Sequence, residues 1–471
     1  MARKEKSRQG LIYRSFRAYL RFVHERFFYR KVYCTGKENI PSDGVPVLIV
    51  SNHQNCLNDP LGVIFTFKDR KPSVLTRADV FAVHSVIHIL LRKMGLLPAY
   101  RLNFEGEESL GKNKEIFYVS EKELISGRTI LMYPEGGHQD KRWLGDFSLG
   151  YTKMAFEAAE LDDFRTEIFI LPSCNHYSDY FDIQKDMLIK FGMPVSIKPY
   201  YELYKSKPRT AQRRVNAIVR EQIASMMLNI TDLDNYRAID FLRNTYGRKY
   251  AKEHGYRADY LPDKLLSDRT FFEALDDAKS KDEAFVQQIY DDALRLEDEL
   301  GKLNIREEQF DCIHGWGMIA VAVVAQLILL PLWLFTLWPN IIVYRAPELV
   351  TRRMNDKMFR NSFLFGMSVL ITMPLLYILS FVLVWMCVNV AVAVIYVLLL
   401  PYMGIFAWYY WKSVVRTLQD IRFRCVAGGS DVAGTPDAFD TKRGTVKGIG
   451  KINELRVLRT MIYERLNKIL K

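Results

Sequence analysis

Val45-Pro46-Val47-Leu48-Ile49-Val50, followed by Ser51-Asn52-His53-Gln54-Asn55-Cys56-Leu57-Asn58-Asp59-Pro60, is the stretch from which the rest of the chain is read. The first part is a short apolar run rich in valine and isoleucine, the pattern of a buried strand. A histidine and an aspartate just past such a strand stand where α/β folds place their chemistry. A neutral imidazole takes a proton from a hydroxyl near neutral pH, and a nearby carboxylate fixes its tautomer and steadies the imidazolium. A structural reading fits the same residues, with His53 starting a helix and Asp59 capping it.

Outward from this stretch, apolar runs over 45–50, 73–77, 96–100, 129–133, 167–172 and 187–191 read as strands. Helical patterns lie near 60–68, 80–94, 112–125 and 148–160. Short strands alternating with helices predict an α/β unit with a mainly parallel sheet flanked by helices.

Further motifs follow in order. Gly95-Leu96-Leu97-Pro98-Ala99-Tyr100-Arg101 comes first, then Tyr133-Pro134-Glu135-Gly136 after Thr129-Ile130-Leu131-Met132, then Ile168-Phe169-Ile170-Leu171-Pro172. With the His-Asp block, this order resembles the glycerolipid acyltransferase family, which includes the lysophosphatidate acyltransferases. The resemblance covers residues 30 to 225, about two-fifths of the chain. It implies an acyltransferase-type fold and transfer of a fatty acyl group to glycerol-3-phosphate or lysophosphatidate in phospholipid biosynthesis. The donor would be acyl-CoA or acyl-carrier protein, and thioester activation requires no metal or redox cofactor. His53 and Asp59 match the catalytic positions. Arg101 matches a phosphate-binding arginine, and a guanidinium fork suits a phosphate. Glu135 and Gly136 match the block given to acceptor binding or site support. Asn52 joins this substrate-binding set and is also suited to bracing the site. Pro172 matches a position implied in acyl-side packing. Backbone N–H groups at the start of the helix after His53 are the expected oxyanion donors.

The chain departs from the family pattern twice. The usual spacing is His, four residues, Asp; here that slot holds Asn58, and the carboxylate comes one residue later at Asp59. Some branches read His-x-Asn-x-x-x-Asp-Pro, as this chain does, and a tight turn before the helix would absorb the extra residue. Where many relatives carry Lys-Gly, this chain has Leu149-Gly150, with Lys153 one turn on.

The 471 residues carry a formal net charge of +12. Such a balance suits nucleic acid or an anionic membrane surface. No zinc spacing, recognition-helix motif or RNA-binding signature is present, whereas long apolar segments are, so membrane lipids are the expected partners and nucleic acid is not. The six cysteines are scattered without a Cys-x-x-Cys pair, which fits a reducing compartment. The start Met1-Ala2-Arg3-Lys4-Glu5-Lys6 leads into no cleavable apolar core, so no secretory signal is expected. His84 and His88, at helical spacing, have no third ligand in view and read as helix packing, and His138 shows no partner at ligand spacing.

Five regions are expected. Residues 1–34 read as an amphipathic interfacial helix, with aromatic residues and arginines from Tyr13 to Lys31. An acyltransferase domain follows at 35–225, then a helical connector at 226–312, transmembrane helices at 313–411 and a cytoplasmic tail at 412–471. The connector's acidic runs read as solvated faces, and Gly444, Gly448 and Gly450 as a linker rather than a phosphate loop. Two uncharged runs, 315–344 and 363–411, fill the membrane region. The second is long enough for two spans with a turn near Asn389. The first, interrupted by Pro331 and Pro339, fits one tilted helix or a re-entrant hairpin, giving three or four spans. Arg345, Arg352, Arg353, Lys357 and Arg360 lie between the runs, so keeping basic flanks inside predicts two hairpins, with the catalytic domain on the cytoplasmic face. Trp333, Trp338, Trp408, Tyr409, Tyr410 and Trp411 are expected at interfaces. Competing readings are acylation of an amino-acid-derived lipid hydroxyl, thioester hydrolysis, and an inactive lipid-binding scaffold that kept the fold.

Overall fold

The computed structural model describes residues 10–68, 70–77, 95–99, 108–137, 141–352, 357–426 and 449–470. The chain divides into two units: Met1–Asn229 with Ala346–Thr372, and Ile230–Arg345 with Met373–Lys471.

The first unit opens with α1 (Leu11–Val23), a π-helical turn (His24–Phe28) and β1 (Tyr29–Thr35). Then come β2 (Val47–Ser51), α2 (Asn58–Thr66), β3 (Ser73–Arg77), β4 (Leu96–Ala99), α3 (Glu108–Ile125) and β5 (Thr129–Met132). Next are α4 (Gly150–Glu160), β6 (Phe169–Tyr177), β7 (Lys185–Phe191), β8 (Val195–Ser196), α5 (Tyr201–Ser206) and α6 (Pro208–Met226). The strands form one sheet in the order β1-β7-β6-β2-β5-β3-β4, with β8 also on β6. β6 pairs antiparallel with β7 and β8, and the other pairs among the described strands are parallel.

β2 is central because its neighbours bury it completely. Val47, Leu48, Ile49 and Val50 are all 0% exposed, pairing with β5 on one side and β6 on the other. Helices cover the sheet closely: a side chain at Gly62 of α2 would collide with the end of Met187 on β7. The core between the sheet and α4 and α6 includes Leu48, Val50, Ile130, Met154, Phe156, Val215 and Ile223.

Two sequence expectations need correction here. The helix expected across the first 34 residues ends by Phe28, and Tyr29–Thr35 is an edge strand paired with β7. Tyr-Arg-Lys-Val-Tyr-Cys-Thr is rich in aromatic and β-branched residues, which favour a pleated half-buried surface. α1 buries Tyr13, Leu20 and Val23 and leaves Leu11, Phe22, Arg14 and Arg21 exposed. Likewise β6 runs past Pro172 to Tyr177, carrying the buried polar residues Ser173, Asn175 and His176. A final helix of this unit, α12 (Lys357–Met367), continues into a π turn, Ser368–Thr372.

The second unit holds α7 (Tyr236–Asn244), α8 (Tyr246–Glu253), α9 (Leu261–Lys281) and α10 (Glu283–Leu303). The tail helix α15 (Ile449–Ile469) packs on them, burying Leu455, Leu458, Ile462 and Leu466. Among the described residues, three helices are long and apolar enough to cross a membrane: Trp316–Thr351, Ser362–Cys387 and Val390–Val426. The first of these, α11, is one 36-residue helix rather than the expected hairpin. A proline bends a helix and removes one hydrogen bond, but in apolar surroundings the backbone finds no better partner than the helix itself. The second run does turn at Val388–Asn389, between α13 (Met373–Cys387) and α14 (Val390–Val426), where Asn389 Oδ1 accepts from the Val392 N–H at 2.9 Å.

The polar residues of the first run face α14. Gln326 donates to Thr417 Oγ1 (2.8 Å), Trp333 Nε1 to the Ala407 carbonyl (3.1 Å) and Asn340 to the Leu400 carbonyl (3.1 Å). Partners descend in number as α11 ascends, so the segments are antiparallel. Trp333 also stacks on Tyr410, with ring centroids 5.2 Å apart, so this pair packs between the two helices. At the open end His314 Nδ1 meets Asp420 (2.9 Å) and Arg424 Nε donates to the His314 carbonyl (2.8 Å). The start of α11 and the end of α14 therefore lie together. Cys312, Cys387 and Cys425 are all exposed. In sealed vesicles an impermeant maleimide will modify Cys312 and Cys425 from the same side and Cys387 from the other; labelling Cys312 and Cys425 from opposite sides would contradict this arrangement.

Candidate active site

β2 ends at Ser51, and Asn52 extends its pairing with β6 through side-chain bonds. Asn52 Nδ2 donates to the Asn175 carbonyl (3.0 Å), and the Asn175 N–H donates to Asn52 Oδ1 (2.7 Å). Asn52 is 0% exposed, so it clamps two strand ends. His53 follows, at the carboxyl ends of β2 and β5.

Asp59 lies in the first turn of α2 and is fully buried. Its Oδ2 is 2.8 Å from His53 Nδ1 and accepts the N–H groups of Gln54 and Asn55, both at 2.7 Å. Its Oδ1 accepts the Tyr177 hydroxyl at 2.5 Å. A carboxylate holding these partners only accepts, so the imidazole donates from Nδ1 and keeps its basic lone pair on Nε2. The His53 ring stacks on Tyr133, with centroids 4.3 Å apart, and its side chain stays 20% exposed. Burial, reinforced by the charge of Asp59, raises the Tyr177 phenol well above its ordinary range, so Tyr177 remains a neutral donor.

Glu135 follows β5 and reaches across to the same loop. Its Oε1 accepts the His53 N–H (2.7 Å) and its Oε2 the Gly145 N–H (3.0 Å). Burial raises its pKa, and the two N–H bonds partly offset the rise. Gly136 has φ +68°, a left-handed turn that glycine adopts without a Cβ penalty. Arg142, 3% exposed, donates to the carbonyls of Tyr177 and Ser178 and lies against the Tyr180 ring, whose hydroxyl donates to Gln54 Oε1 at 2.6 Å. Lys153 pairs within its own helix with Glu157 at 3.6 Å.

The structure thus brings together His53, Asp59, Asn52, Glu135 and Gly136. Arg101 lies outside the described residues, as do His84, His88 and His138. Four backbone N–H groups near the expected oxyanion site are taken: those of Gln54 and Asn55 bind Asp59, that of Leu57 binds Ser362 Oγ, and that of Asn58 binds the Asn55 carbonyl. The aspartate one residue later has drawn the loop around itself, and these donors are occupied. Sequence reasoning missed Tyr177 because the strand was expected to stop at Pro172. Ser173-Cys174-Asn175-His176 beyond the proline carries no apolar alternation, so no local pattern marks Tyr177 as part of the strand.

Residues 31–175 match the family model described as Acyltransferase. That segment, which holds most of the sheet and the His-Asp pair, is an acyltransferase domain. A curated relative, an uncharacterized acyltransferase of Schizosaccharomyces pombe, is 24% identical over 195 residues, which is 41% of this chain. The chain spans only 28% of that relative's length. A solved structure, the 1-acyl-sn-glycerophosphate (LPA) acyltransferase of Thermotoga maritima, is 16% identical, with 48% of this chain and 84% of that one covered at a TM-score of 0.33.

Asn52→Ala removes both clamp bonds and leaves the Asn175 N–H and carbonyl buried without these partners. The expected cost is about 2–4 kcal/mol, read as a lower midpoint of thermal unfolding in detergent. A variant of unchanged stability with only a raised KM would contradict the clamp and favour direct substrate contact.

Proposed function

We propose that this protein transfers a fatty acyl group from an acyl thioester to a hydroxyl of a glycerol-phosphate acceptor. The observation that carries this reading is the 2.8 Å contact between His53 Nδ1 and the buried Asp59 carboxylate. With Nδ1 committed, Nε2 accepts the acceptor's hydroxyl proton as its oxygen attacks the thioester carbonyl. The C–O bond forms, the C–S bond breaks as the tetrahedral intermediate collapses, and the imidazolium returns its proton to the departing thiolate. The products are an ester and a free thiol, and Asp59 offsets the transient charge on His53.

The acceptor is glycerol-3-phosphate or lysophosphatidate, and the donor is acyl-CoA or acyl-carrier protein. Arg101 binds the acceptor phosphate in this reading. Glu135 supports the site from beneath, since its carboxylate holds the backbone of His53 and of Gly145. The acyltransferase domain faces the cytoplasm, in keeping with the basic segment from Arg345 to Arg360. The exposed face of α1, with Leu11 and Phe22 beside Arg14 and Arg21, lies on the lipid surface.

The test is release of free CoA by purified full-length protein from a labelled acyl-CoA, with a panel of hydroxyl acceptors. His53→Ala should slow acceptor-dependent release by about 10²–10⁴-fold. Equal rates for wild type and variant would remove the proposed chemistry, and release without acceptor would point to thioester hydrolysis.

A further inference from the structure

The loop that presents His53 is fastened by a residue far outside the acyltransferase segment. Ser362, on α12 of the same unit, is 3% exposed. Its Oγ accepts the Leu57 N–H at 3.1 Å and donates to the Asn55 carbonyl at 3.0 Å. One hydroxyl therefore bridges the two neighbours of Cys56. Cys56 has φ 37°, in the left-handed region that residues with a Cβ rarely occupy. The reversal at Cys56 lets the chain fold back, so that the N–H groups of Gln54 and Asn55 reach Asp59 before α2 begins.

α12 is itself a fixed point. Phe365, 2% exposed, packs edge-on against Phe28 and His24, with centroids 4.6 Å and 5.6 Å away. Gly366 lies against Leu57: a Cβ there would sit 3.6 Å from its side chain. The π turn after α12 is tied to α1 by the Tyr19 hydroxyl, which donates to the Val369 carbonyl at 2.8 Å.

We infer that Ser362 is a positioning residue for the His53–Asp59 pair, its hydroxyl holding the left-handed turn at Cys56 that places the N–H groups around Asp59. The inference rests on the acyl-transfer reading of that pair. It also explains how the chain accommodates one more residue between His and Asp than the usual family spacing: the turn that absorbs it is braced from outside the domain. Ser362 opens the helical stretch Ser362–Cys387, one of those long and apolar enough to cross a membrane. The catalytic loop is thus tied to a membrane-type segment.

The experiment uses full-length protein in bilayer nanodiscs. Ser362→Ala should lower kcat by about 10- to 100-fold, with the KM for acyl thioester nearly unchanged. Adding Cys56→Gly, which adopts a left-handed φ without the Cβ penalty, should recover most of that loss, because a residue that only filled space would not be replaced by freedom at Cys56. If the alanine variant does not accumulate, Ser362→Cys keeps most of the volume, weakens both bonds and should give the same loss and the same rescue. A wild-type kcat in the serine variants, or a loss that Cys56→Gly leaves untouched, overturns the inference. His53→Ala is measured alongside. If it is inactive while Ser362→Ala is normal, only the positioning role fails; if it matches wild type, the acyl-transfer reading fails and the inference with it.

Discussion

One buried carboxylate organises the site. Asp59 accepts from an imidazole, two backbone N–H groups and a phenol, and no part of it is exposed. Burying a charge costs several kcal/mol unless hydrogen bonds replace its water. Bonds to a charged group contribute about 1.5–3 kcal/mol each, so this full set is what keeps Asp59 inside. The same bonds decide what the loop does. They orient His53, occupy the N–H groups of Gln54 and Asn55, and demand a reversal at Cys56. Around them stand further fasteners: Asn52 to β6, Glu135 to the His53 and Gly145 backbone, and Ser362 to Asn55 and Leu57.

Much of this was legible before any coordinates. Val47–Val50 is apolar throughout because both faces are covered, and a histidine just past such a run sits at a sheet mouth for topological reasons. The spacing irregularity was legible too, since Asn58 stands where the usual carboxylate would be. The means of absorbing it was not, because Ser362 is some three hundred positions away and a serine at the edge of an apolar run carries no distinguishing signal. β1 was hidden inside an aromatic, basic segment whose helical and extended patterns overlap. β6 beyond Pro172 was hidden because proline reads as a strand end, although its missing N–H is tolerated where the pairing leaves that position unbonded.

In the apolar region, composition located the helices and left their connections open. Gln326 and Asn340, the strongly polar members of the first run, both bond α11 to α14. Polar side chains have few partners in a hydrocarbon setting, so they mark helix contacts. A side chain at Gly404 would stand about 3 Å from the Asn340 amide, and its absence lets that helix come close. The expected hairpin in the first run rested on keeping the basic flanks on one side, with Pro331 and Pro339 as the available breaks, and the helix passes through both prolines.

The central claim is that His53 and Asp59 act as one unit. The most direct test is a double-mutant cycle on kcat/KM for acyl transfer, with His53→Ala, Asp59→Asn and the pair together. Residues that act together lose activity non-additively. The account predicts a double variant no slower than His53→Ala alone. Losses that add in full would mean that the two side chains act independently, and would contradict it.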